Sequence, residues 1–299
     1  MNRALVIGAS GFVGRRTVGA LAASGFDVHA SSRRKVPTTV SDSGATTHSL
    51  DPIDQDAVVR LCHEIRVTHL VLLGWYAEPG RFWHSLDNLA SLASNVAAVN
   101  GFLTAGGRHV IAAGTGAEYF PGSSAVTVDA AERVDETLYG RSKDALRAVA
   151  TIACRTAGAR LAWGRIFNVF GPGEPEQKIV TSMIAACRSS TPFAVRDSTR
   201  RSDYIFVDDV AEAFAALASS DANGAFDIGT GRGHTPLEVA DAVSAACRRT
   251  LAIESGEALP AKPYLADAET IARAIGWRAK RDLESGVRAT ARASHGVHT

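Results

Sequence analysis

Short, predominantly apolar runs alternate along this chain with longer, Ala-rich stretches of helix length. The runs are Ala4–Ile7, Val28–Ala30, His69–Leu73, Val110–Ala113 and Leu161–Phe167, and the stretches predict helices near 12–24, 53–65, 85–105, 138–157, 175–188, 208–219 and 236–249. Strands this apolar belong to a parallel sheet covered on both faces, because both sides of the pleat are then buried. The pattern predicts an α/β fold, a doubly wound parallel Rossmann sheet. Gly171-Pro-Gly-Glu-Pro175 interrupts it, and only short elements follow. We expect a Rossmann domain over 1–170 and a smaller C-terminal substrate-binding lobe over 171–299. The two are interleaved, because Tyr204–Val207 and Ala225–Ile228 again read as buried strands that return to the main sheet, giving return segments at about 203–230.

Composition narrows the partner. With 299 residues, 46% of them hydrophobic, the chain can bury a large core. Its formal net charge is +1 and it has no long Lys/Arg block, so a nucleic acid or a membrane surface is not the expected partner, and the ligand is a small molecule. The N-terminal residues lack the pattern of a signal peptide, and no apolar run approaches the roughly 18 residues of a membrane span. Cys62, Cys154, Cys187 and Cys247 stand far apart with no C-x-x-C pair, which predicts neither zinc nor disulfides and suits the cytoplasm.

Gly8-Ala-Ser-Gly11-Phe-Val-Gly14 follows the first strand and opens the first helix. Gly8 would end the strand, Gly11 would let a pyrophosphate approach the backbone, and Gly14 would let helix and strand pack closely. Ser10, Phe12 and Val13 belong to the same loop. Where a carboxylate would grip the ribose hydroxyls of NAD, about 20 residues on, the chain reads Ser32-Arg33-Arg34. Hydroxyl and guanidinium groups suit a 2′-phosphate, so NADP(H) is expected over NAD(H). Asp51 and Pro52 would border the adenine. Leu73, Gly74, Asn95 and Ile166 complete the expected cofactor contacts.

Tyr139-Gly-Arg-Ser-Lys143 places a phenol and an ammonium at i and i+4, on one helix face. Thr115 follows the strand ending Ile111–Gly114, where side chains project toward the cofactor crevice. Three roles follow: Thr115 bonds a substrate carbonyl, Tyr139 protonates it, and Lys143 holds the nicotinamide ribose and lowers the phenol pKa.

These motifs in this order resemble the extended short-chain dehydrogenase/reductases of the nucleotide-sugar epimerase, dehydratase and reductase group. Asn95–Ala105, Gly114–Tyr119, Arg165–Pro172, Asp203–Asp209 and Asp227–Gly231 carry the resemblance further, over nearly the whole length. It implies that Asn168 and an Arg near Asp203 hold a sugar-nucleotide diphosphate. The family places that Arg directly before the Asp. Here the order is Arg201-Ser202-Asp203, so Arg201 is the candidate, with Arg200 or Arg196 as alternatives. The family's dehydratases carry Asp-Glu after the active-site Thr, whereas this chain has Thr115-Gly116-Ala117, which leaves reductase or epimerase. Glu118 is nearby, with an orientation the sequence leaves open.

A reductase that exchanges its cofactor each turnover commonly uses NADPH. The expectation is therefore an NADPH-dependent ketoreductase of a nucleotide-linked 4-keto-6-deoxyhexose, with an NAD(P)-dependent epimerase as alternative. A non-catalytic NADP-binding sensor is the alternative of another class. Trp75 and Tyr76, in the aromatic run Trp75–His84, and Gly116 are expected beside the sugar. No metal ligand set is visible. Small residues on the helices near 85–105 and 138–157, and the family resemblance, suggest a homodimer.

Overall fold

The computed structural model describes residues 2–33, 40, 43–119, 137–195, 197–256 and 263–294. Seven parallel strands form the central sheet: β1 (Arg3–Ile7), β2 (Asp27–Ser32), β3 (Thr46–Ser49), β4 (His69–Leu72), β5 (His109–Thr115), β6 (Arg160–Ile166) and β10 (Gly224–Ile228). Their order is β10-β6-β5-β4-β1-β2-β3. Chain direction across the sheet therefore reverses between β1 and β4, which opens a crevice at their carboxyl ends.

Consecutive residues of β1 serve opposite faces. Ala4 and Val6 pack with Val18 and Leu21 of α1 (Phe12–Ala23) and Phe214 and Leu217 of the helix Val207–Ala218. Leu5 and Ile7 face α2 (Gln55–Ile65), α3 (Asp87–Thr104) and α4 (Leu138–Thr156) through Val58, Phe102 and Leu146. Two buried faces explain why the strand sequences show no polar alternation.

Beyond β7 (Asn168–Phe170), α5 (Ile179–Ser189), α6 (Val207–Ala218), α7 (Pro236–Cys247), α8 (Ala268–Ile275) and α9 (Leu283–Ala293) follow. A separate core joins Phe170, Met183, Ile184, Phe206, Val243 and Val287. The expectation that both return segments rejoin the main sheet holds for one of them. β10 pairs with β6, whereas β9 (Ser202–Phe206) pairs with β7 and β11 (Gly233–His234) in a sheet of its own. β8 (Phe193–Val195) and β12 (Ile253–Ser255) form a third, two-stranded sheet.

Buried carboxylates fasten these parts together. Asp203 accepts hydrogen bonds from the Thr230, Gly231 and Ala266 amides and the Thr230 hydroxyl, tying β9 to the loop after β10. Asp209 accepts from the Arg281 amide and guanidinium. The acids at the two ends of one family-like motif, Asp203–Asp209, thus satisfy buried backbone, as a closed core requires. No described helix is long and apolar enough to cross a membrane.

Candidate active site

The glycine loop is shaped by close backbone contact. Gly8 has φ +87°, and a Cβ there would lie 2.4 Å from the Gly74 nitrogen. A Cβ on Gly14 would lie 2.0 Å from the Gly8 carbonyl oxygen, so α1 starts where only glycine fits. Gly11 differs: its nearest neighbour to a Cβ is the Gly8 oxygen at 3.3 Å, and it caps α1 with no side-chain bond and no acid in the first turn. That bare helix N-terminus fits a dinucleotide pyrophosphate. At the end of β2, the Ser32 hydroxyl lies 3.4 Å from that of Ser10. Arg33 is exposed beyond it, and Arg34 lies outside the described residues. Asp51 is exposed and accepts from the Ile53 amide in a turn through Pro52.

A cavity of about 600 Å³ runs from this loop toward the C-terminal elements. Gly11–Gly14, Leu73, Trp75, Thr115, Tyr139, Lys143, Ile166 and Asn168 all line it. Thr115 ends β5, and Tyr139 and Lys143 stand on the first two turns of α4, which Thr137 caps by accepting from the Gly140 amide. Edge-to-face contacts with Phe82 at 4.9 Å, Trp83 at 5.8 Å and Trp75 at 6.3 Å hold the Tyr139 ring. Burial pushes its phenol up to about 12, opposed by a hydrogen bond from the Thr115 side chain and assisted by the charge of Glu118. The Lys143 ammonium donates to the Ala113 carbonyl at 2.7 Å and lies 4.1 Å from the centre of the Trp75 ring. Burial lowers its pKa to about 7, against the raising effect of Glu118.

The expectation that Lys143 lowers the phenol pKa is corrected by this arrangement. The phenol is raised, and Thr115 is the group that pulls it down, because the ammonium is turned to a carbonyl and an indole face.

Four other expected contacts also fall elsewhere. Arg201 is exposed and donates to the Gly233 carbonyl and to Glu238, while Arg200 lines the cavity, its guanidinium 5.5 Å over the Tyr264 ring and its Nε buried without a hydrogen-bond partner. Successive residues entering β9 point to opposite sides, so a shift of one position exchanges the two arginines. The Asn95 amide is used by the Gly74 and Ser91 carbonyls, and shapes the loop after β4 from behind. The Tyr76 hydroxyl donates to Glu78 outside the cavity lining, and Gly116 is packed under the Tyr264 hydroxyl, which would stand 2.1 Å from its Cβ. Asn168 lines the cavity, its amide donating to the Asp203 carbonyl at 2.8 Å.

Glu118, left open by the sequence, is buried behind the cavity. It accepts from the Thr115 amide at 2.9 Å, the Trp163 indole at 3.0 Å and the Arg165 Nε at 2.8 Å. Arg165 also donates to the Tyr119 hydroxyl, which donates to Asp227. Gly114 was the available signal, since a Cβ there would collide with Trp163 and Glu118. Phe82 and Trp83, from the aromatic run Trp75–His84, also line the cavity, as do Tyr264, Glu174 and Lys178, to which no motif spacing pointed. Among the described residues, no three His, Cys, Asp or Glu side chains gather to hold a metal.

Residues 4–229 match the model of the NAD-dependent epimerase/dehydratase family. The chain belongs to that family. Its fold is similar to UDP-glucose 4-epimerase of Thermus thermophilus in complex with NAD, at a TM-score of 0.84 and 23% identity over 99% of each chain. It is also similar to UDP-glucose 4-epimerase of Thermotoga maritima with UDP-glucose, at 0.85 and 19% over 100% of each. The UDP-glucose 4-epimerase of Stenotrophomonas maltophila, with NAD and formylated UDP-arabinopyranose, matches at 0.86 and 20% over 99% of this chain and 98% of that one. The family assignment makes this an NAD-dependent type of enzyme site and agrees with the glycine loop.

A buried ammonium with a lowered pKa opposes folding. Between about 7 and its unfolded value the unfolded chain binds the extra proton, so this group's penalty is full below about 7 and fades as pH rises above it. Lys143→Met is therefore expected to stabilise the protein more at pH 6 than at pH 9. Urea midpoints at the two pH values check this, and an equal or smaller gain at pH 6 contradicts it.

Proposed function

We propose that the protein is an NADPH-dependent ketoreductase whose substrate is a nucleotide-linked keto sugar of the 4-keto-6-deoxyhexose type. The observation that carries this reading is the placement of Thr115, Tyr139 and Lys143 on the wall of one cavity whose far end is the glycine loop. A bound nicotinamide cofactor would supply the hydride. Gly8, Gly11 and Gly14 would form its pyrophosphate cradle, with Ser10, Ser32 and Arg33 at the adenosine ribose. Hydroxyls and a guanidinium there support a 2′-phosphate, as does the lack of an acid in Ser31–Arg34, where the sequence of an NAD enzyme would place one. The solved relatives hold NAD, which is the argument for NAD(H) instead.

The residues divide the work by their protonation. With its pKa at about 12, the Tyr139 phenol keeps its proton through the neutral range and acts as an acid toward a developing alkoxide. Thr115 presents its hydroxyl to the same oxygen. Lys143 stands one turn behind, within the cavity, to bond the cofactor ribose. The acid pair that the family's dehydratases carry directly after the active-site Thr is replaced here by Gly116 and Ala117, and the Glu118 carboxylate is committed to Arg165 and Trp163.

The second reading is an NAD-dependent nucleotide-sugar epimerase, favoured by the UDP-sugar 4-epimerases among the solved relatives. A non-catalytic NADP-binding sensor would bind without turnover. Four free cysteines suit a reducing cytoplasm. A homodimer is proposed from exposed apolar side chains on the two helices α3 and α4, which pack on each other: Leu86 and Leu89 at the start of α3, and Val149 and Ile152 on α4.

Two outcomes test these proposals. With a panel of nucleotide-linked keto sugars, the absorbance of NADPH should fall by one equivalent per sugar reduced. Tyr139→Phe should lower kcat by about 10²- to 10⁴-fold with cofactor affinity retained. Isomerisation without net NADPH loss selects the epimerase, and binding without either selects the sensor. Separately, Ile152→Glu should halve the mass seen by light scattering; a wild-type monomer contradicts the dimer.

A further inference from the structure

Lys143 is 4% exposed, so its charge has to be compensated within the protein. Glu118 is the acid whose field reaches it, but that carboxylate is already bonded to Arg165, Trp163 and the Thr115 amide. Asp144, the next residue on α4, accepts from Arg147 instead, and Tyr139, one turn earlier, keeps its proton through the neutral range. Two groups touch the ammonium: the Ala113 carbonyl at 2.7 Å and the Trp75 indole, whose ring centre lies 4.1 Å away. A carboxylate at position 75 would also compensate the charge, but it would neutralise the charge and take up N–H donors. An aromatic face attracts the cation through its quadrupole and does neither, which leaves donors of the ammonium for a ligand in the cavity that Trp75 and Lys143 both line.

The indole is itself fixed by a buried amide. Its Nε1–H donates to Asn88 Oδ1 at 2.8 Å, and Asn88, wholly buried in the first turn of α3, donates through Nδ2 to the Phe82 and Ser85 carbonyls at 2.6 and 2.8 Å. Both ends of that amide are spent on setting the indole against the loop that carries Phe82 and Trp83. The same indole meets the Tyr139 ring at 6.3 Å, with 75° between the planes. One residue of the loop after β4 thus adjoins both the phenol and the ammonium that stand at i and i+4 on α4. Fastening the loop to the sheet would require the indole nitrogen and its apolar surface; a ring face laid over a buried ammonium is an additional feature. Because the Lys143 pKa lies at about 7, a modest change in the attraction to that face alters how much of the group is charged near neutral pH.

We propose that Trp75 is a positioning residue for Lys143: its π face, set by Asn88, keeps the ammonium charged and in place with donors left for the nicotinamide ribose. The ribose contact rests on the reading of the protein as a nicotinamide-dependent enzyme. The pairing of ring and ammonium stands apart from that reading, and its sign is defined. Weakening the ring's attraction disfavours the charged form, so the Lys143 pKa falls further and less of the group is charged at a given pH.

Fluorination tests this without changing the fold. Replacing the four tryptophans of the full chain by 5-fluoro- and then 5,7-difluorotryptophan draws electron density from the ring face and nearly preserves its shape. The pH midpoint for trace acetylation of Lys143 by acetic anhydride, read by peptide mass spectrometry, reports the charge. It should fall stepwise with each fluorine, and by about one pH unit in Trp75→Leu, a tenfold loss of the charged form above the midpoint. Trp75→Phe, which keeps a ring without the Asn88 bond, should lie between wild type and Trp75→Leu, and fluorination in that background should leave the midpoint where it is. NADP⁺ affinity at pH 8 should weaken in the same order, by up to about 10-fold. A midpoint that does not respond to fluorination of the wild-type chain, or that rises in Trp75→Leu, overturns the inference. A midpoint that follows fluorination while no nucleotide-linked keto sugar is reduced would uphold the pairing and count against the proposed reaction.

Discussion

The buried Glu118 carboxylate is the constraint on which the site depends. One oxygen holds the Thr115 amide at the end of β5, and the pair of oxygens takes the Trp163 indole and the Arg165 guanidinium from β6. Through Arg165 the same charge reaches Tyr119 and Asp227, and Asp227 accepts from the Asp267 amide at the start of α8. A carboxylate this deep is tolerable only because its partners satisfy it, and an unpaired charge left behind would cost about 3–5 kcal/mol. The network fixes the end of β5 that carries Thr115, and so, on the proposed function, where a carbonyl oxygen would sit relative to Tyr139. It also sets the local field, raising the pKa of Tyr139 and opposing the fall at Lys143.

Around that anchor the chain accepts local costs for chemistry. Lys143 is almost wholly buried, with one carbonyl and one indole face as company, and its depressed pKa records the penalty. The glycine loop allows backbone to approach backbone at Gly8, Gly14 and Gly74, which brings α1 close to the sheet edge and leaves its first amides open. Aromatic rings from the segment after β4 close the cavity around the phenol, trading solvent contact for a well-defined acid.

Much of this was legible in the residues, because strand burial and helix length write themselves into composition. Each of the seven predicted helices has a counterpart close to its expected range among the described residues, and the five apolar runs are strands β1, β2, β4, β5 and β6. The missed pieces have physical reasons. β3 reads Thr-Thr-His-Ser and is largely exposed at the sheet edge, and α8 and α9 are short helices started by Asp267 and Asp282 caps. β9 resembled a core strand because it is buried, yet burial does not say in which sheet. Motif spacing pointed to Thr115, Tyr139 and Lys143, and the fold brings all three to the wall of one cavity. It took Arg201 where Arg200 lines the cavity, since neighbouring residues on an extended segment face opposite ways. Tyr264 and Lys178 reach the cavity from distant parts of the chain, a meeting that only the tertiary fold specifies.

The central claim is that hydrogen moves between the pyridine ring held at the glycine loop and a sugar carbon beside Tyr139. Reduction of a keto sugar with NADPH deuterated at C4 of the nicotinamide, followed by mass spectrometry and NMR of the product, tests it directly. The account predicts one deuterium on the new carbinol carbon, delivered from a single face when the labelled side of the ring is the reactive one, with the opposite label giving none. A reduced product that carries no deuterium from either label contradicts it.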